Sequence, residues 1–233
     1  MNLGEDRIKY LVGKATYILR EARATFKNPA MLWAGGKDST TMLYIAKHFA
    51  FPDGFMFPVL FIDTTYQFRE TYNFIKMIKN AWDLDLRILR NDEALAKGMN
   101  PKKYPPRECC YHLKTKPLND AVIRDKYDAL IVAIRWDEET MRSLEYPVSY
   151  RRHPEHYRVH PMLGFSEKDI WETIHRYNIP HNPLYDYVIN GKRYRSIGCY
   201  PCTEPTLDEE AERAGRIQTK EKVMEDLRAL GYL

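Results

Sequence analysis

Two short stretches hold every cysteine of the chain. Cys109 and Cys110 sit side by side in "RECCYHLKTKPL", and Cys199 and Cys202 flank two residues in "IGCYPCTEP". Thiolates bind soft metals or attack electrophiles. A cube of four irons offers a separate corner to each thiolate, so neighbouring cysteines can each reach a different iron. A single tetrahedral zinc sets adjacent cysteines a harder task, and its ligands are usually spaced by two or more residues. A disulfide between neighbours would leave Cys199 and Cys202 without a role, and four ordinary buried thiols are the plain alternative.

The second candidate is "AGGKDST" at residues 34–40, between an apolar run and a helical pattern. Gly35 and Gly36 can take positive φ and leave backbone N–H groups lining a concavity that attracts anions. The first turn of the following helix adds donors. Lys37 would add a full charge, Ser39 and Thr40 hydroxyl donors, and Asp38 suits the first turn of a helix. Neither G-x-x-x-x-G-K-[ST] nor G-x-G-x-x-G is present, so this is neither a Walker loop nor a dinucleotide fingerprint. A strand-to-helix turn that merely needs glycine is the alternative. Downstream, "AIRWDEETMRS" (133–143) supplies Arg135, Glu138 and Arg142. A guanidinium fork matches sulfate or phosphate oxygens, though a solvated charged loop would have the same composition.

The elements that must position these residues follow from periodicity. "AMLWA" (30–34), "FPVLFID" (57–63), "LDLRIL" (84–89) and "YDALIVAIR" (127–135) read as strands. Helical patterns cover residues 8–26, "DSTTMLYIAKHF", "QFRETYNFIKMIKNAW" and "HLKTKPLNDAVI", the last starting near Cys109–Cys110. Such alternation predicts an α/β fold, a mostly parallel twisted sheet with helices on both faces. Ligands then bind at the carboxyl ends of the strands. The charged, proline-broken run 135–161 reads as a long loop. Within it, His153, His156 and His160 lack the carboxylate or cysteine spacing of a metal site. Ser166 and Asp169 read as a helix cap. The segment up to Pro205 reads as irregular and cysteine-bearing. The domain expectation is one nucleotide-binding domain over residues 1–206 and a helical tail over 207–233.

Bulk properties narrow the class. The chain has 233 residues, a net charge of +4, 44% hydrophobic and 13% aromatic content. This suits one folded domain that binds phosphorylated or sulfated small molecules, without demanding nucleic acid. "MNLGEDRIKY" lacks the apolar core of a signal peptide, and no apolar run approaches the roughly 20 residues that span a bilayer. A cytoplasmic location without membrane contact is expected, where thiols stay reduced.

"AGGKDS" after an apolar strand resembles the pyrophosphate loop of the adenosine-nucleotide alpha-hydrolase-like superfamily, commonly SGGKDS, with Ala34 in place of the first serine. "FPVLFIDTTYQFRETYNF" resembles the second strand and loop of the bacterial ATP sulfurylase small subunit and of the adenylyl-sulfate and phosphoadenylyl-sulfate reductases. The resemblance places Asp63, Thr64 and Thr65 near ribose and base, with Phe68 packing nearby and Tyr72 more a core residue. It aims Arg135, Glu138 and Arg142 at the anionic end of the nucleotide. "HPMLGFSEKDIWETIHRYNIPHNPLYD" is similar to both relatives, so the likeness spans about residues 8–216. The N-terminal half is closer to the sulfurylase subunit.

The cysteines are similar to those of the iron–sulfur reductases, as are "RSIGCYPCTEP" and "ERAGR". That resemblance implies a [4Fe–4S] cluster held by Cys109, Cys110, Cys199 and Cys202. It gives Lys114, Lys116, Arg213 and Arg216 to the cluster's charge or to the anionic end of the nucleotide. The reductases also carry a fifth, attacking cysteine in an "E-C-G-[IL]-H" segment, and "KVMEDLRALGYL" has none. Either a partner supplies the thiol, the cluster takes part, or the reaction differs.

The expected function is that of a reductase-family enzyme acting on an adenylylated sulfur compound. One alternative joins ATP, with Mg2+, to sulfate and relies on a GTPase partner. Another thiolates tRNA or DNA, with "YRRHPEHYRVH" (150–160) as its basic aromatic surface. A nucleotide-binding redox sensor is the non-enzymatic alternative. The nucleotide is ATP, adenylyl sulfate or phosphoadenylyl sulfate, and a homo-oligomer is expected.

Overall fold

The computed structural model describes residues 3–139 and 142–217, with side chains from Asp6 onward. In chain order the first elements are α1 (Leu3–Thr25), β1 (Pro29–Leu32), α2 (Lys37–Ile45), β2 (Val59–Ile62), α3 (Arg69–Ala81) and β3 (Leu86–Leu89). Then come α4 (Asp92–Ala96), α5 (Pro106–Cys110), α6 (Lys116–Asp125) and β4 (Ala129–Ile131). They are followed by β5 (Val148–Arg152), β6 (Glu155–Val159), α7 (Glu167–Arg176), β7 (Val188–Ile189) and β8 (Lys192–Arg193). Two compact units share the chain. The first runs to Leu60 and resumes over Lys126–His181; the second takes Phe61–Asp125 and the chain from Asn182.

The first unit is an α/β layer. β1 pairs in parallel with the start of β2 (Leu32 beside Leu60) and with β4 (Ala30 beside Leu130), and β4 pairs in parallel with β6. β1 and β4 are short, wholly buried apolar runs. Such strands are covered on both faces. The apolar stripe of α1, from Ile8 through Leu11, Ala15 and Leu19 to Ala22, is buried, and α1, α2 and α7 pack on one another. The mostly parallel sheet read from the sequence is therefore present.

Ser166 caps α7 by accepting from the Asp169 N–H at 3.2 Å, and the Asp169 carboxylate accepts from the Ser166 N–H at 2.8 Å. This is the predicted capping box. Arg7 adds a two-pronged bond to the same carboxylate, at 2.8 and 2.7 Å. Burial alone would raise the Asp169 pKa, but Arg7 and Ser166 hold it down to about 2.

The run 135–161 is not one long loop. β5 and β6 form an antiparallel hairpin with Tyr150 beside Tyr157. Prolines and charges masked a period of two in which His156 and Arg158 turn inward while Glu155 and Tyr157 stay exposed. His156 Nδ1 donates to the Pro154 carbonyl at 2.7 Å, leaving Nε2 to accept from Arg158 Nε at 2.9 Å. His160 is equally buried and meets the Tyr146 carbonyl at 2.8 Å. Glu145, also buried, accepts from Arg151 at 2.7 Å and from Ser149 at 3.0 Å.

In the second unit the amphipathic α3 buries Thr71, Phe74, Ile75 and Ile78. The Asp63 N–H donates to the Leu89 carbonyl, which sets β3 beside the end of β2. A π-helical turn, Tyr111–Thr115, joins α5 to α6 directly after the cysteine pair. β7 and β8 form a small hairpin, and β8 continues to a bridge between Arg193 and Thr206. Residues 207–217 carry turns and a bridge rather than the expected helix, and Gly215 lies so close to the Glu204 carbonyl that a side chain there would collide with it. The remainder of the expected helical tail lies outside the described residues. No described helix is long and apolar enough to cross a membrane.

Burial and the Arg158 charge push the His156 pKa down to about 4. In the unfolded chain the imidazole takes its proton near pH 6.5. Between those values the unfolded chain binds more protons, so stability is lost as pH falls from about 6.5 toward 4. The melting temperature should fall across that window, and less steeply in His156→Gln, whose amide oxygen can still accept from Arg158. Equal slopes for the two proteins would show that the buried neutral histidine is not the cause.

Candidate functional site

The glycine turn belongs to the first unit. Gly35 takes φ 71°, a left-handed conformation that favours glycine, and Gly36 is the extended residue before α2. The Ser39 hydroxyl donates to the Gly36 carbonyl at 3.2 Å and accepts from the Ala34 N–H at 3.3 Å, pulling the turn tight. Ala34 is exposed at its mouth, and its backbone donor is kept despite the missing serine hydroxyl. Thr40 is buried and accepts from the Trp33 indole at 3.0 Å, so it braces the turn from within. The first N–H groups of a helix point beyond its own carbonyls, which is what an anion at such an end uses.

Charged groups surround that helix start. Lys37 is 1% exposed, its Nζ 3.6 Å from Asp38 and 3.9 Å from Glu167. Arg135 is fully buried; its guanidinium pairs with Asp38 and donates from Nε to Asp137 at 3.0 Å. Asp137 in turn accepts from the Glu167 N–H at 3.0 Å. Arg135 thus reaches the loop through Asp38, while Arg142 pairs with Glu138, both largely buried. Sequence reasoning missed Asp137 and Glu167. The first signal for Glu167 was only its place after the Ser166 cap.

The second unit holds Asp63, Thr64, Thr65 and Phe68. Asp63 Oδ1 accepts from the Thr65 N–H at 2.8 Å and the Tyr72 hydroxyl at 2.7 Å. Tyr72 is therefore more than a core ring, and burial followed by the Asp63 charge keeps its hydroxyl protonated. Thr65 takes φ 63°, a conformation that is strained for a β-branched residue. Phe68 packs its ring against Tyr194 and Tyr200 at 5.3 and 6.4 Å.

The same unit gathers the four cysteines. Cys109 and Cys110 end α5, in the helix that Pro106 opens. Cys199 and Cys202 frame a tight turn in which the Cys202 N–H donates to the Cys199 carbonyl at 2.9 Å. Cys109, Cys110 and Cys202 line one apolar cavity with Pro101, Pro106 and Ile217. The Thr64 hydroxyl meets Cys199 Sγ at 3.3 Å. Burial first, then the fields of Cys110 and Cys199, push the Cys109 thiol up to about 12; Lys114 opposes this and Cys202 adds to it. Cys109 thus lies within the fields of the other three cysteines. None is in a disulfide.

The flanking cations divide. Lys114 acts on Cys109, whereas Lys116 pairs with Asp120 one helical turn on, at 2.7 Å on the exposed face of α6. Arg216 is buried with its guanidinium against Gly198, where any Cβ would collide with it, next to Cys199. Arg213 lies three residues earlier, its carbonyl accepting from the Arg216 N–H. No group of three or more His, Cys, Asp and Glu side chains among the described residues is spaced to hold a metal ion. A cube asks for a wider arrangement, one thiolate per iron. The donor set suits it: Cys109, Cys110 and Cys202 share an apolar cavity with no carboxylate among its lining residues, Cys199 acts on Cys109, and thiolates crowded in this way ionise together only beside compensating positive charge.

Residues 28–205 match the family profile of the phosphoadenosine phosphosulfate reductase domain. The chain is similar to sulfate adenylyltransferase subunit 2 of Stutzerimonas stutzeri, 29% identical over 97% of each chain. It is also similar to the protein of that name from Geotalea uraniireducens, 30% identical over 89% of this chain and 87% of the other. Its fold is similar to that of phosphoadenylyl-sulfate reductase from Candida auris in a phosphate complex. There the TM-score is 0.67 at 18% identity, covering 88% of this chain and 99% of that one. The [4Fe–4S]-bearing U34-tRNA thiolase NcsA from Methanococcus maripaludis has the fold at a TM-score of 0.51 and 13% identity, over 97% of this chain and 80% of its own.

Two outcomes follow from the site itself. In reduced, metal-free protein at pH 8, iodoacetamide should label the half-buried Cys202 first and Cys109 last, about tenfold more slowly; equal rates would refute the burial of Cys109. Arg135→Ala should lower stability in urea titration by about 2 kcal/mol, since Asp38 and Asp137 lose a shared buried partner but keep some solvent.

Proposed function

The chain belongs to the phosphoadenosine phosphosulfate reductase domain family, and from that membership we propose an adenine-nucleotide-dependent enzyme of sulfur metabolism that acts on an adenylylated sulfur compound beside an iron–sulfur site. One observation carries this: Cys109, Cys110 and Cys202 line one apolar cavity of the second unit, and Cys199 adds its field to theirs at Cys109. Thr64, in the loop assigned to the nucleotide, touches one of those sulfurs.

Cys109, Cys110, Cys199 and Cys202 would hold the cluster, with Lys114 and Arg216 offsetting its charge. When bound, a [4Fe–4S] cluster would supply redox capacity and concentrated charge. The chain's own groups do the rest. Backbone donors of Gly35, Gly36 and the first turn of α2 hold an anionic phosphate or sulfate, and Lys37 adds charge. Arg135 acts as a positioning residue by fixing Asp38. Asp63, with Thr65 and Tyr72 ordering it, takes the ribose. Glu138 and Arg142 remain candidates for the anionic end, as does Arg213. The attacking thiol is assigned to a partner, since all four cysteines serve the cluster.

A second function is favoured by the relatives named sulfate adenylyltransferase subunit 2: adenylyl transfer from Mg2+-bound ATP to sulfate with release of pyrophosphate, alongside a partner subunit. For nucleic-acid thiolation, the 150–160 stretch exposes Tyr150, Arg152, His153 and Tyr157 while His156, Arg158 and His160 are buried.

Anaerobically purified protein given adenylyl sulfate and a dithiol should release sulfite and AMP. Pyrophosphate from ATP plus sulfate, with no sulfite in the first assay, would replace this function by the second. Lys37→Gln should weaken nucleotide binding about tenfold with iron content unchanged; unchanged binding would remove the glycine loop from the site.

A further inference from the structure

We propose that Asp63, Arg90 and Asp92 form a selectivity element that accepts a free ribose diol and rejects a 3′-phosphorylated nucleotide. The proposal rests on the adenine-nucleotide function above and concerns which nucleotide the site takes.

Asp63 follows β2 and Arg90 follows β3, and the Asp63 N–H donates to the Leu89 carbonyl at 2.8 Å. Both side chains therefore stand at the carboxyl ends of neighbouring strands, where such sheets bind ligands. Two donors, the Thr65 N–H and the Tyr72 hydroxyl, engage Asp63 Oδ1 and fix the carboxylate in place. Its other oxygen, Oδ2, faces the Arg90 guanidinium at 3.6 Å, beyond hydrogen-bonding distance. That oxygen is a preset acceptor. A ribose hydroxyl is a donor of the right kind.

Arg90 on its own would welcome a phosphate. It is instead placed between two carboxylates, donating from Nε to Asp92 at 2.6 Å while facing Asp63. One cation between two anions leaves a net negative corner. The loop carrying it is anchored, because the Asn91 side chain caps α4 at the Ala94 N–H and donates to the His112 carbonyl. A 3′-phosphate brings between one and two further negative charges near pH 7. It would meet the Asp63 carboxylate and replace one of the two ribose hydroxyl donors that Oδ2 can use. The same chemistry lets an acidic residue at a strand end select a ribose hydroxyl over a phosphate in dinucleotide sites.

The test is calorimetric binding of AMP and of adenosine 3′,5′-bisphosphate, which differ only in the 3′-phosphate, to the full chain. AMP should bind the unaltered protein about tenfold tighter or more. Asp63→Asn should narrow that ratio by removing the repelling charge. Asp92→Asn, on an exposed side chain, should also narrow it about threefold or more by releasing Arg90 toward the phosphate. Bisphosphate binding as tightly as AMP would overturn the proposal with the nucleotide function intact, and so would an unchanged ratio in Asp92→Asn. If neither nucleotide binds the unaltered protein, the adenine-nucleotide function fails and the proposal falls with it.

Discussion

The crowding of sulfur around Cys109 sets the terms for the second unit. Without compensation the Cys109 thiol stays protonated, because burial and the fields of the neighbouring cysteines both oppose its ionisation. Lys114 is one cation against four potential thiolates, and Arg216 is a second lodged under Gly198. Much of the local architecture serves this crowding. Pro106 starts α5 so that Cys109 and Cys110 close it, a π turn follows at once, and Gly198 leaves room for the Arg216 guanidinium beside Cys199. π turns recur at functional positions because they shift the face that a helix presents.

The first unit solves a different problem, the exposure of backbone donors at a helix start. Its cations are not loose in solvent. Lys37 lies between Asp38 and Glu167, and Arg135 between Asp38 and Asp137, so the positive charge is held in register before any anion arrives. Preorganised groups of this kind need little rearrangement as charge develops on a substrate.

Local chemistry was the legible part of the sequence. The glycine turn, the Ser166–Asp169 cap and the parallel strands could be read because each depends on neighbours within a few residues. The cysteine pairing could be read from residue type and resemblance, since no local pattern explains adjacent thiols. The β5–β6 hairpin could not, because its alternation is carried by histidine and arginine, which turn inward only when Glu145 and one another satisfy them. The Tyr72–Asp63 bond and the acidic partners of Lys37 and Arg135 were equally hidden. Arg135–Asp38 and Lys37–Glu167 pair residues far apart in the chain, and a helix-face tyrosine looks the same whether its hydroxyl is bonded or not. The turns of 207–217 were misread as helix because their composition is helical, whereas the close approach of Gly215 to Glu204 is not.

The account turns on whether those four sulfurs serve one inorganic group. Native mass spectrometry of the chain after anaerobic reconstitution with iron and sulfide tests this most directly. A single bound species of about four irons and four sulfides is predicted, lost when Cys110 is changed to serine. One zinc per chain, or a cluster that survives Cys110→Ser unchanged, would contradict it.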